Sequence, residues 1–170
     1  LNTLGTRNIA IGYKAYANAD VESDNLAIGY DALGGAMTGG EENIAIGNYS
    51  MEANVAGGAN VAVGYKSLSA NANSSWNTAI GHQSLLKTAS GGLNTGVGAN
   101  SLYTSISGQD NTAVGTNSLY YSIGNQNTGV GRNSLYLNRG SYNTSLGWYS
   151  GDKITSGKYN TVIGHNADVL

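Results

Sequence analysis

Asn77-Thr78-Ala79-Ile80-Gly81-His82-Gln83-Ser84-Leu85 and Asn111-Thr112-Ala113-Val114-Gly115-Thr116-Asn117-Ser118-Leu119 are two copies of one unit, and that unit decides the fold. Its core, Asn-x-x-[Ile/Val/Leu]-Gly, recurs ten times, with the Asn at Asn8, Asn25, Asn43, Asn60, Asn77, Asn94, Asn111, Asn127, Asn143 and Asn160. Successive Asn positions differ by 17, 18, 17, 17, 17, 17, 16, 16 and 17. The core Gly is present every time, from Gly12 to Gly164. An unbroken period of this length marks a stack of supersecondary units that bury one another. Residues 1–170 therefore read as a single repeat domain, with the tail of an eleventh copy at residues 1–5, Leu1-Asn2-Thr3-Leu4-Gly5.

Counting each unit from its Asn as position 0, every row has its own chemistry. Position +3 is always Ile, Val or Leu, Ile80 and Val114 among them. Position +2 is small in all units but the last, where it is Val162. Position +7 is Ala or Ser throughout, and position +8 is Leu in six units. So short a unit cannot hold a helix and a returning strand, and no helical period is present. The unit reads as strand, Gly turn, short second strand, Gly turn, which is one coil of an all-β parallel β-solenoid or β-roll of about ten 16–18-residue coils. The Gly row (Gly81, Gly115) implies positive φ or a close backbone approach. The Asn row (Asn77, Asn111) suits a coil corner, bonding turn backbone and stacking as an amide ladder.

Composition supports stacking over an ordinary core. Leu, Ile and Val total 33 of 170 residues, about 19%, close to the level at which chains stay disordered. Yet the net charge is only −2, which argues against disorder. The chain has no Cys, so no disulfide, thiolate metal site or Cys nucleophile. Eight scattered Lys and Arg give no nucleic-acid footprint. No apolar run approaches the ~18 residues of a membrane span. No signal peptide is legible, and a start at Leu1 rather than Met reads as a piece of something longer.

Strand side chains alternate, so positions +1 and +3 share one face and +2 takes the other. Both faces are mostly apolar. One is expected to line the coil and the other to need a cover, for which a second copy of the chain is the simplest candidate. A parallel homotrimer would cover it on every coil. Val114, in the +3 row, is expected to be buried. The +1 row runs Ile9, Leu26, Ile44, Val61 and then Thr78, Thr95, Thr112, Thr128, Thr144, Thr161.

The two quoted units resemble the N-[ST]-x-[AG]-[IV]-G-x-x-[SA] repeats of trimeric autotransporter adhesin heads, which fold as left-handed parallel β-rolls. The usual coil of those heads is shorter than the units of this chain. Longer units with N-T-A-[IV]-G are more similar to repeats of bacteriophage tail fibres. Gly151 to Gly164 resembles the stretch that precedes an endosialidase-type intramolecular chaperone in such fibres. The resemblance implies a structural shaft or head segment of a trimeric fibre for host attachment, in a virion or at a cell surface. A bacterial adhesin head binding matrix or glycans is the alternative. An ice-binding solenoid, suggested by the six Thr of the +1 row, ranks below both, because the first four coils carry Ile, Leu or Val there.

No catalytic constellation is legible, and no enzyme, cofactor or metal is expected. His82 and His165 both sit at +5 but five coils apart, about 24 Å at ~4.8 Å per coil. The +7 serines have no base beside them. Asp24 and Glu42, each just before its Asn, fall in one row and are either solvated or bridged by a cation. Twelve Tyr and two Trp replace all Phe, so nearly every ring has a polar tip. Tyr103, Tyr120 and Tyr136, all at +9, form the longest regular ladder. They are the candidate ligand strip for a cell-surface glycan or protein receptor, set against a purely structural ladder.

Overall fold

A computed structural model describes residues 4–19 and 21–169; Leu1, Asn2 and Thr3 of the expected eleventh copy lie outside the described residues. Each of the ten units contributes one short strand at positions +1 to +3. These are β1 (Ile9–Ile11), β2 (Leu26–Ile28), β3 (Ile44–Ile46), β4 (Val61–Val63), β5 (Thr78–Ile80), β6 (Thr95–Val97), β7 (Thr112–Val114), β8 (Thr128–Val130), β9 (Thr144–Leu146) and β10 (Thr161–Ile163). They form one ten-stranded sheet in chain order, all parallel. Every residue pairs with its own position one coil on, as in Thr112↔Thr128, Ala113↔Gly129 and Val114↔Val130. Coils of unequal length keep this register because the added residues fall past position +8. The protein is thus an all-β parallel solenoid.

The expected second strand is not there. Positions +5 to +8 run as a tight turn, and among the described residues the only pairing outside the named strands is an isolated parallel bridge, Thr104↔Tyr121. The reason lies in the backbone. Position +6 takes positive φ (Gln83 54°, Asn117 55°), and so does the Leu at +8 (Leu85 52°, Leu119 49°). Left-handed residues between right-handed ones cannot make a strand ladder. Each such residue costs about 1–2 kcal/mol, and hydrogen bonds between coils offset this. Asn117 N–H donates back to Ala99 O of the preceding coil (2.9 Å), and Leu119 N–H donates forward to Ser134 O (2.9 Å). The bend therefore leaves these amides paired above and below. Asn at +6 in four coils (Asn100, Asn117, Asn133, Asn166) is the sequence sign of this bend, since Asn tolerates positive φ better than most residues.

The core is one residue thick. Position +2 points inward and is fully buried at Ala27, Ala45, Ala62, Ala79 and Ala113. Facing it is the +8 row, where Leu33, Met51, Leu68, Leu85, Leu102, Leu119 and Leu135 are also fully buried. Only small side chains fit between a strand and a Leu row in so thin a coil. Position +3 therefore points out. Ile80 and Val114 are 40% and 39% exposed in the single chain, which corrects the expectation that Val114 is buried within it.

The interior also carries polar ladders. Ser84 Oγ lies 2.8 Å from Ser101 Oγ, and Ser84 Oγ donates to Gly96 O at 2.9 Å. A further buried column at position +11 holds Asn54 and Asn71, then Thr88, Ser105 and Ser122, then Asn138. Asn54 and Asn71 donate to the carbonyls a few positions on, Gly57 O (2.8 Å) and Ser74 O (2.9 Å). The three shorter hydroxyls between them make no hydrogen bond. Ser105→Asn should place its amide where Asn71 has it, within reach of Gly108 O. We expect a rise in melting temperature of roughly 2–4 °C from one added buried hydrogen bond. A fall by scanning calorimetry would mean that the column cannot take the larger side chain.

Candidate assembly face and tyrosine ladder

Two surfaces stand out once the coil is built. The first is the outer face of the sheet, formed by positions +1 and +3. Its rows run the full length of the stack at about 4.8 Å per coil, and neither row contains a charged residue. At +3 the exposure is 58% for Ile11, 40% for Ile80 and 67% for Ile163. Ten aligned strands make this a continuous uncharged strip about 43 Å long, apolar at +3 throughout and Thr at +1 in the last six coils. Single exposed apolar residues are ordinary, whereas a contiguous strip of this kind is a candidate contact surface.

The Asn and Gly rows belong to the scaffold behind this face. Asn77 N–H donates to Asn60 Oδ1 at 2.9 Å, and Asn111 N–H to Asn94 Oδ1 at 3.0 Å. The same bond links every consecutive pair from Asn8 to Asn160. The amide ladder expected from the sequence is thus present. The side-chain amides add to it: Asn111 Nδ2 donates to Asn94 Oδ1 of the preceding coil at 3.1 Å and to Gly124 O, at the end of its own coil, at 2.9 Å. Gly81 and Gly115 have φ of +133° and +128°, and each packs its Cα against the Gly of the next coil. Positive φ and close approach both hold.

The second surface is the tyrosine ladder. Tyr103 and Tyr120 stack at 4.8 Å with planes 3° apart, and Tyr120 and Tyr136 at 5.1 Å and 18°. Lys87 Nζ sits 5.5 Å from the Tyr103 ring centre, capping the column. All three rings are half-buried, and burial, then the neighbouring tyrosines, pushes the Tyr120 phenol above its ordinary value. Both faces of Tyr120 are taken by its neighbours, while Tyr103 and Tyr136 each give it one face. A sugar stacks on a ring face, so Tyr120 offers a ligand only its edge and hydroxyl. Tyr142 and Tyr159 form a second stack, 4.8 Å and 4°. A longer, less regular run of five rings passes from Tyr13 through Tyr30, Tyr49 and Tyr65 to His82, stacked at its two ends and edge-on about Tyr49. His165 stacks on Trp148 at 4.7 Å, so each His is part of an exposed ring stack.

The acidic row is partly neutralised. Arg7 lies one coil before Asp24 and bonds it twice, Nε to Oδ1 at 2.5 Å and Nη2 to Oδ2 at 2.6 Å. That hydrogen bond holds the Asp24 carboxyl below its usual range. A guanidinium therefore occupies Asp24 where a shared cation with Glu42 was the alternative. Among the described residues no three His, Asp or Glu gather as a metal site.

The fold and these rows define a β-solenoid repeat protein. Comparison with protein-family models, with curated proteins and with solved structures finds no match to the chain.

Proposed function

We propose that the chain is a structural segment, shaft or head, of a phage-type trimeric tail fibre, with its outer sheet face packed against two further copies. The observation that carries this reading is the uncharged, half-exposed Thr/Ile/Val strip that runs unbroken along all ten coils. A second copy shares its pitch, so rows meet rows at every coil without a register conflict. The work done is mechanical: a stiff rod that spaces a host-attachment tip from its base. Placement in a virion or at a cell surface follows from that role. A bacterial adhesin head would share the trimer and differ by binding matrix or glycans itself.

Light scattering tests the assembly directly. The expected mass is about three times 17.4 kDa. Val114→Asp should then release single chains, because in the trimer the charge is buried without a partner. In an isolated chain the same carboxylate reaches water and costs little, so far-ultraviolet circular dichroism should stay near wild type. A wild-type chain that melts cooperatively as a monomer would overturn the proposal. One observation favours a different reading in that event. Thr78, Thr95, Thr112, Thr128, Thr144 and Thr161 stand in register on six adjacent strands beside the Val/Ile row, as an ice-binding face requires. A monomer that slows ice growth would select it.

A further inference from the structure

Among the described residues a mixed groove lies apart from the assembly face and from the stacked faces of the tyrosine ladder. It has a volume of about 550 Å³ and is lined by Tyr121, Leu137, Arg139, Thr155 and Ser156. That volume lies within the ~300–1,000 Å³ range of small-molecule sites. The lining comes from three successive coils: position +10 of one, +10 and +12 of the next, +12 and +13 of the third. Tyr121 follows the inward-facing Ala113 by about half a coil, so the groove lies half way round the stack from the strands. It stays open when the sheet face is covered, and it is formed by one chain alone.

Each lining group has spare capacity. Both faces of the Tyr120 ring are taken by Tyr103 and Tyr136. Tyr121 meets Tyr120 at 4.7 Å and 79° and Tyr136 at 6.3 Å and 83°; those two rings are stacked on each other, so their edges lie together against one face of the Tyr121 ring. Tyr121 is 44% exposed and Leu137 41%, an aromatic face and an aliphatic wall side by side. Arg139 is fixed at its backbone, where its N–H donates to Thr155 O at 2.8 Å. Its guanidinium has no carboxylate partner: the ion pairs among the described residues are Arg7–Asp24 and Lys153–Asp168. From residue 111 to 170 the basic residues are Arg132, Arg139, Lys153 and Lys158 against Asp152 and Asp168, and Asp168 pairs with Lys153, which leaves Arg139 as the charged group lining the groove.

An unpaired guanidinium fork recognises a planar carboxylate by two parallel hydrogen bonds. A free aromatic face takes the C–H face of a pyranose, and the Thr155 and Ser156 hydroxyls can donate to or accept from ring hydroxyls. We propose that this groove binds a sugar ring bearing a carboxylate, a hexuronic acid, with Arg139 on the carboxylate and Tyr121 under the ring.

The experiment titrates the chain with sodium glucuronate, glucose and sodium acetate, following Arg139 Nε–H and the Tyr121 and Thr155 amides by NMR. Glucuronate should give saturable shifts at these groups. Glucose, without the carboxylate, and acetate, without the ring, should each bind about tenfold or more weakly. Arg139→Gln and Tyr121→Ala should each weaken glucuronate by a similar factor. Arg139→Lys, which keeps the charge and loses the fork, should fall between. Arg132→Gln, at the strand side of the coil, should leave binding unchanged. The proposal is overturned if acetate or glucose matches glucuronate, if Arg139→Gln and Arg139→Lys bind as wild type does, or if glucuronate gives no saturable shift.

Discussion

Gly115→Ala lowers the melting temperature by about 10 °C or more, or stops the chain folding. Two costs add at this position. Its φ of +128° belongs to a region open almost only to glycine, and a side chain there costs roughly 1–3 kcal/mol. A Cβ would also sit 2.7 Å from the Gly131 carbonyl carbon and 2.8 Å from its oxygen, both backbone atoms of the next coil. Nothing there yields unless the coil spacing opens, and overpacking of that kind adds roughly 1–3 kcal/mol. Gly39 separates the two costs, because it has φ of +138° and nothing within 4 Å of an added Cβ. Gly39→Ala should therefore lose only the conformational part, under half of the Gly115→Ala effect. Equal melting temperatures for the two variants would show that the inter-coil contact contributes nothing.

Asn111→Ala is the second large loss. The side chain lies mid-ladder and fully buried. Its Oδ1 accepts from Asn127 N–H at 2.9 Å and from Asn127 Nδ2 at 3.1 Å. Its Nδ2 donates to Gly124 O at 2.9 Å and to Asn94 Oδ1 at 3.1 Å. Truncation leaves the Asn127 amide buried without an acceptor and weakens the next corner, at about 1–3 kcal/mol for each group left unpaired. The sum is about 3–5 kcal/mol, placing the variant among the severe losses. Asn160 is the built-in comparison. It is the last rung, is partly exposed, and serves no later Asn, so Asn160→Ala should cost a small fraction of this. Chemical denaturation reads both variants. Comparable midpoints would show that the ladder is a consequence of the stack and contributes little to it.

The tyrosine ladder and the groove differ in how far the sequence reveals them. Tyr103, Tyr120 and Tyr136 share one position in three coils, and an in-register stack must bring equal positions together, so their stacking follows from counting residues. Tyr121, Arg139 and Ser156 occupy three different positions, +10, +12 and +13, and meet through the bend of the coil past its second corner. No row analysis collects them, because a row gathers like positions and the groove gathers unlike ones.

By itself the sequence determined the coil length, the parallel in-register stack, the Asn ladder and the glycine approach, since each follows from one residue type recurring at one position. It also determined that positions +1 and +3 share a face, because alternation in a strand is a property of the backbone. Only the tertiary structure decided which face is the inner one. Ile80 and Val114 are greasier than Ala79 and Ala113, and hydrophobicity alone would put them inside. Volume reverses the choice: with the Leu row pressed against the strand, the interior has room for Ala, Gly or Ser, and the larger side chains are turned out. The same tight closure put Leu85 and Leu119 at positive φ and made a bend of the expected second strand, a strain that neighbouring coils offset and that no single unit shows.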